Sequence, residues 1–95
     1  MFFKKKDKRY LMKNQKLREE LAAYAHNAWS GWMKYMFGKS VENEDGSVTI
    51  PADLVRRWKR QSETRYVDLL EKEKKSDLEE ADKMIYIFIN WGGLS

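Results

Sequence analysis

The stretch that decides the fold is Leu17-Arg18-Glu19-Glu20-Leu21-Ala22-Ala23-Tyr24-Ala25-His26-Asn27-Ala28-Trp29-Ser30-Gly31-Trp32-Met33-Lys34-Tyr35-Met36. Its apolar positions (Leu17, Leu21, Tyr24, Ala25, Ala28, Trp29, Trp32 and Met36) recur at steps of three and four, the spacing of one face of an α-helix. It contains no Pro and one Gly, Gly31, which costs about 1 kcal/mol of helix propensity relative to Ala and so marks a close backbone contact or a bend. The next glycine, Gly38, is suited to a left-handed cap, so the helix is expected to end near Phe37-Gly38.

Outward from this helix the signals are shorter. Residues 39–50 are polar until Val48, and Asp45-Gly46 is a strong turn dipeptide because glycine accepts positive φ without steric cost. A turn or short hairpin, Val41 to Asn43 against Val48 to Ile50, fits this segment. Pro51 suits the first turn of a second helix, where its missing N–H has no intrahelical partner. Leu54, Val55 and Trp58 give that helix an apolar side, with Arg56, Arg57, Lys59 and Arg60 around the rest, and it is expected to stop between Gln61 and Glu63. Further on, Leu78, Ala81, Ile85, Phe88 and Ile89 lay out another helical stripe. Ser76 and Glu79 have capping-box spacing. Glu71 to Lys75 are all good helix formers, which favours one helix from about Leu70 to Asn90, closed by Gly92 and Gly93. The fold class read from these elements is mainly α: a small three-helix domain with a turn or short β-hairpin between helices 1 and 2.

The chain has 95 residues, a length that fits one small domain whose core is small relative to its surface. Residues 1–18 hold eight of the 19 Lys and Arg and a single acid, giving +7, while residues 19–95 sum to −3. Residues 1–16 therefore read as a basic leader, flexible or loosely docked, ahead of a domain over 17–95. A basic isoelectric point argues for nucleic acid only when the charge lies on a folded face. Here most of it lies in the leader, so nucleic-acid binding through that arm is a lesser alternative. The apolar run Met84 to Ile89 is far short of the ~20 residues needed to span a bilayer, and Met1-Phe2-Phe3 followed by charges lacks the apolar middle of a signal peptide. The expected location is cytoplasmic.

Zero Cys removes disulfides, thiolate metal sites and a Cys nucleophile, and one His cannot build a multi-His centre. No phosphate-cradling glycine loop, Gly-x-Ser-x-Gly elbow or His-Glu-x-x-His is present. Glu42, Glu44 and Asp45 do not follow calcium-loop spacing. No enzyme activity, metal or cofactor is expected. His26, beside Trp29 and Ser30 on helix 1, is either a partly buried structural histidine or a polar anchor in an aromatic pocket. Trp29, Trp32, Tyr35, Trp58 and Tyr66 admit two readings: a core seam, or rings that stack on a planar ligand whose anionic part is held by Arg57, Arg60, Arg65 or Lys34.

Leu17 to Trp29, with His26 three residues ahead of Trp29, resembles the opening helix of the ryanodine-receptor repeat, or RyR domain. Gly31-Trp32 with Tyr35 is similar to that family's Gly-Trp-x-Tyr element with one residue inserted. Tyr66-Val67-Asp68-Leu69, then Glu73-Lys74 and Ser76-Asp77, resembles its Tyr-x-x-Leu and Glu-Lys signature before the last helix. Residues 39–63 follow a different course. The whole also resembles small phage and prophage proteins sharing Trp58, Gln61, Thr64 and Tyr66. The resemblance implies a cytosolic, non-enzymatic module that binds or sequesters a small, adenine-nucleotide-derived signal. It carries His26, Trp29, Trp32 and Tyr66 over as site residues, joined by Trp58, Arg60 and Arg65 from the aromatic and basic pattern. Since the receptor repeats work in pairs, a single copy is expected to form a homodimer with its pocket at the interface. The alternative is a structural or protein-interaction module of a phage or prophage.

Overall fold

The computed structural model describes residues 14–91. In chain order the elements are helix α1 (Gln15–Lys39), strands β1 (Val41–Glu42) and β2 (Val48–Thr49), helix α2 (Ala52–Ser62), a 3-10 turn (Tyr66–Asp68) and helix α3 (Glu71–Trp91). The expected class is the observed one: mainly α, three helices, with a short antiparallel hairpin between the first two. Residues 1–13, most of the basic leader, and Gly92 and Gly93, the expected close of the last helix, lie outside the described residues. Gln15 and Lys16, read as leader, already belong to α1.

α1 runs through both of its glycines and ends differently from the expectation. Gly38 is helical, and the cap is Ser40, in extended conformation (φ −92°, ψ 159°). The Ser40 N–H donates to the Phe37 carbonyl at 3.2 Å and its hydroxyl to the Met36 carbonyl at 2.8 Å, satisfying two of the carbonyls a helix end leaves open. In the hairpin Val41 pairs with Thr49 and Glu42 with Val48, each strand one residue shorter than expected because Asn43 enters the turn. The Asn43 N–H donates to the Ser47 carbonyl and the Gly46 N–H to the Asn43 carbonyl. Gly46 has φ 89°, the only positive φ among the described residues. Asp45 closes the turn by accepting from the Ser47 hydroxyl (2.6 Å) and N–H (3.0 Å), and these bonds hold its carboxyl below the ordinary value.

Gly38 and Gly46 therefore respond oppositely to alanine. A Cβ at Gly38 meets nothing within 4 Å and its backbone is helical. Gly38→Ala is expected to stabilise by about 0.4–1 kcal/mol through reduced entropy of the unfolded chain. Gly46→Ala forces a side chain into the left-handed region at a cost of roughly 1–2 kcal/mol. Thermal melting of the two variants should show shifts of opposite sign.

Pro51 is the N-cap of α2 rather than its first residue, and its carbonyl accepts from Leu54 and Val55 N–H. The α2 end is closed by the Thr64 hydroxyl donating to the Arg60 carbonyl. One 3-10 turn then leads into α3, which is a single helix across Ser76 as the helix-forming run predicts. At its start Glu73 accepts the Leu70 N–H at 3.3 Å, the reaching-back half of a capping box.

α1 and α3 run antiparallel: residues 20–27 share a groove with residues 82–87, while the wall continuing to Tyr35 faces the α3 segment that begins at Lys72. The Tyr24 hydroxyl stitches them, donating to a Glu80 carboxylate oxygen (3.0 Å) and to the Glu80 carbonyl (3.3 Å). Only part of the α3 stripe, Ala81 and Phe88, is half-buried. Glu80, Lys83 and Ile87 line the α1 side, leaving Leu78, Ile85 and Ile89 about half exposed. Among the described residues Leu69 (9 % exposed) is the one buried hydrophobic side chain and Glu73 (6 %) the one buried polar residue.

Candidate functional site

Helical spacing on α1 and α2 creates the principal cleft. Trp32 and Tyr35, one turn apart on α1, have ring centroids 5.6 Å apart and nearly stacked. Trp58, the centre of the apolar side of α2, stands edge-on to Trp32 at 5.2 Å and tilted against Tyr35 at 6.3 Å. This is the offset and edge-to-face geometry that the ring quadrupoles favour. The Lys39 ammonium lies 5.7 Å from the Tyr35 ring centre, within cation–π range. A core seam would hide these rings, yet only Trp58 is half-buried, with Trp32 45 % exposed and Tyr35 39 %. They wall a cleft of about 890 Å³ between the three helices.

The α3 wall is charged on one face because Glu73, Ser76, Asp77 and Glu80 follow i, i+3, i+4, i+7 spacing. Two of its acids are already engaged. Glu73 takes a 2.5 Å ion pair from Arg60 and the Leu70 N–H, tying α3 to α2. The Arg60 hydrogen bond, with the Leu70 N–H and the Arg60 and Lys72 charges behind it, holds the Glu73 carboxyl below its ordinary 4.5 against the opposing effect of burial. Glu80 pairs with Lys83 at 3.2 Å and accepts from Tyr24. Burial first, then the hydrogen bond and charge of Glu80, raises the Tyr24 phenol above 10.0 and keeps it a neutral donor. Asp77, Arg57 and Lys72 line the cleft without an ion-pair partner among the described residues.

The Glu73 shift sets a pH dependence. A folded value below the unfolded 4.5 contributes stability that is complete above that pH and is lost as pH falls through the folded value. Glu73→Gln removes the contribution. The melting-temperature gap between wild type and Glu73→Gln should be widest at neutral pH and shrink below pH 4.5, as melting curves at pH 7 and in acid will show.

The seven site residues expected from the sequence do not form one site. Trp32 and Trp58 line the main cleft, and with Tyr66 they also line a smaller groove of about 490 Å³ that shares Asp77. His26 and Trp29 pair with each other on exposed α1 surface, centroids 5.9 Å apart, with the His26 ring 3.4 Å from the Ser30 hydroxyl. His26 is thus neither buried nor in an aromatic pocket. Arg60 is turned to Glu73, and Arg65 and Lys34 line neither groove. Lys72 and Asp77 were missed as site residues. The shared face of residues 73, 76, 77 and 80 was the available signal once a single α3 is drawn.

Compared with known proteins, the chain matches no family model, no curated protein and no solved structure. The RyR-domain resemblance therefore rests on its quoted residues. Among the described residues no group of His, Cys, Asp and Glu could hold a metal ion, and no helix is long and apolar enough to cross a membrane.

Proposed function

We propose that the chain is a non-enzymatic, cytoplasmic binding module whose three-helix cleft takes a small planar anion, most simply a nucleotide-derived signal. The observation that carries this is the Trp32–Tyr35–Trp58 cluster, half-buried at Trp58 and exposed at Trp32 and Tyr35, which shares one cleft with Arg57 and Lys72, two cations without an ion-pair partner among the described residues. Its volume falls in the range of small-molecule sites. The rings offer stacking for a base and the two cations offer charge-assisted hydrogen bonds to phosphate. Asp77, an acceptor without an ion-pair partner among the described residues, suits an exocyclic amino group of that base. The acids on the α3 wall would repel a second anionic group, which favours a ligand with its negative charge at one end.

Thermal-shift measurements on the full chain with a panel of mono-, di- and cyclic nucleotides test this. A ligand at one hundred times its dissociation constant adds ~2.7 kcal/mol. In a domain of this size that is a rise of about 10–20 °C. No shift across the panel overturns the reading.

A further inference from the structure

On α3 the residues Leu78, Ala81, Ile85 and Phe88 follow steps of three, four and three, the seam spacing of helices that pair side by side. The helix meets α1 through Glu80, Lys83 and Ile87, which lie on its other side. Leu78 and Ile85 of the seam are therefore directed away from the other described elements, while Ala81 and Phe88 are half-buried at its edge. Leu78, Ile85 and the neighbouring Ile89 are 53 %, 50 % and 53 % exposed. With Phe88 and Met84 beside them, the apolar area on this strip is on the order of 400 Å², at the level of the largest apolar patch of a typical monomer. A standard interface covers about 800 Å² per partner, somewhat over half of it apolar, so the strip supplies most of what one needs.

We infer that this face binds a second copy of the chain, α3 against α3 in antiparallel fashion about a two-fold axis. The seam is self-complementary in that arrangement. An axis crossing the seam at the level of residue 83 along the helix sets Leu78 opposite Phe88 of the second copy and Ala81 opposite its Ile85. The small alanine lets the backbones approach, and the larger isoleucine fills the space it leaves. Both contacts repeat by symmetry, as an isologous interface requires. This differs from a dimer with the ligand at its interface: α3 lines the aromatic cleft with other residues, Glu73, Ser76, Asp77 and Glu80 among them, on a face that adjoins the seam.

Light scattering coupled to size exclusion on the full chain is the test. The expected mass at about 100 µM is twice that of the 11.4-kDa chain. Ile85→Asp and, separately, Leu78→Lys should each return the monomer mass with unchanged helical circular dichroism, since both positions are exposed within one chain. Tyr86→Asp, on another face of the same helix and 68 % exposed, should remain a dimer. A wild-type monomer at that concentration overturns the inference, and so does a dimer that survives both seam variants. Dimer loss on deleting residues 1–13 with the seam intact would place the contact in the leader and equally overturn it.

Discussion

Leu69→Ala is expected to cost about 2–5 kcal/mol, the range for truncating a buried leucine. Leu69 is the one buried hydrophobic side chain among the described residues, and it shares the smaller groove with Trp32, Trp58 and Tyr66, where α1, α2 and the 3-10 turn meet. Small domains hold only about 5–15 kcal/mol in total. A loss of this size therefore brings the variant close to unfolding. Leu70 next to it is 53 % exposed, so Leu70→Ala should stay within about 0.5 kcal/mol of wild type. Denaturant melts of the two variants give the comparison, and equal losses would contradict the placement of the core.

Trp58→Ala is expected to weaken nucleotide binding by roughly five- to 150-fold, the about 1–3 kcal/mol that base stacking on an aromatic ring contributes. Trp58 is the ring that closes the cluster, edge-on to Trp32 and tilted to Tyr35. Its removal also loosens the α1–α2 contact, so Trp58→Phe is the companion variant: it keeps an aromatic face and should lose less. Trp29→Ala, whose ring sits with His26 away from the cleft, should leave affinity unchanged. Titration calorimetry with whichever nucleotide gives the largest thermal shift separates the three.

Helix existence was legible because α1 and α3 carry long periodic patterns and good helix formers, and the Asp45-Gly46 turn because only glycine takes φ 89° cheaply. The end of α1 was misread at Gly38 because Ser40 provides a competing cap through its hydroxyl, a tertiary-independent choice that the glycine preference hides. Periodicity identified the α3 apolar stripe but not what would cover it, and Leu78 and Ile85 face away from α1. The same gap explains the site. Trp32 and Trp58 come together because their helices cross, whereas His26 and Trp29 lie on a side of α1 that no other described element covers. The Arg60–Glu73 pair, 13 residues apart, has no local signature, and it removed from the cleft a cation that spacing alone had placed there.

The most direct test follows the indole N–H signals of the full chain by NMR as a nucleotide is added. Stacking within the cleft predicts that the Trp32 and Trp58 signals, assigned through Trp32→Phe and Trp58→Phe, shift with saturation while that of Trp29 stays in place. No movement at millimolar nucleotide, or movement confined to Trp29, would contradict the account.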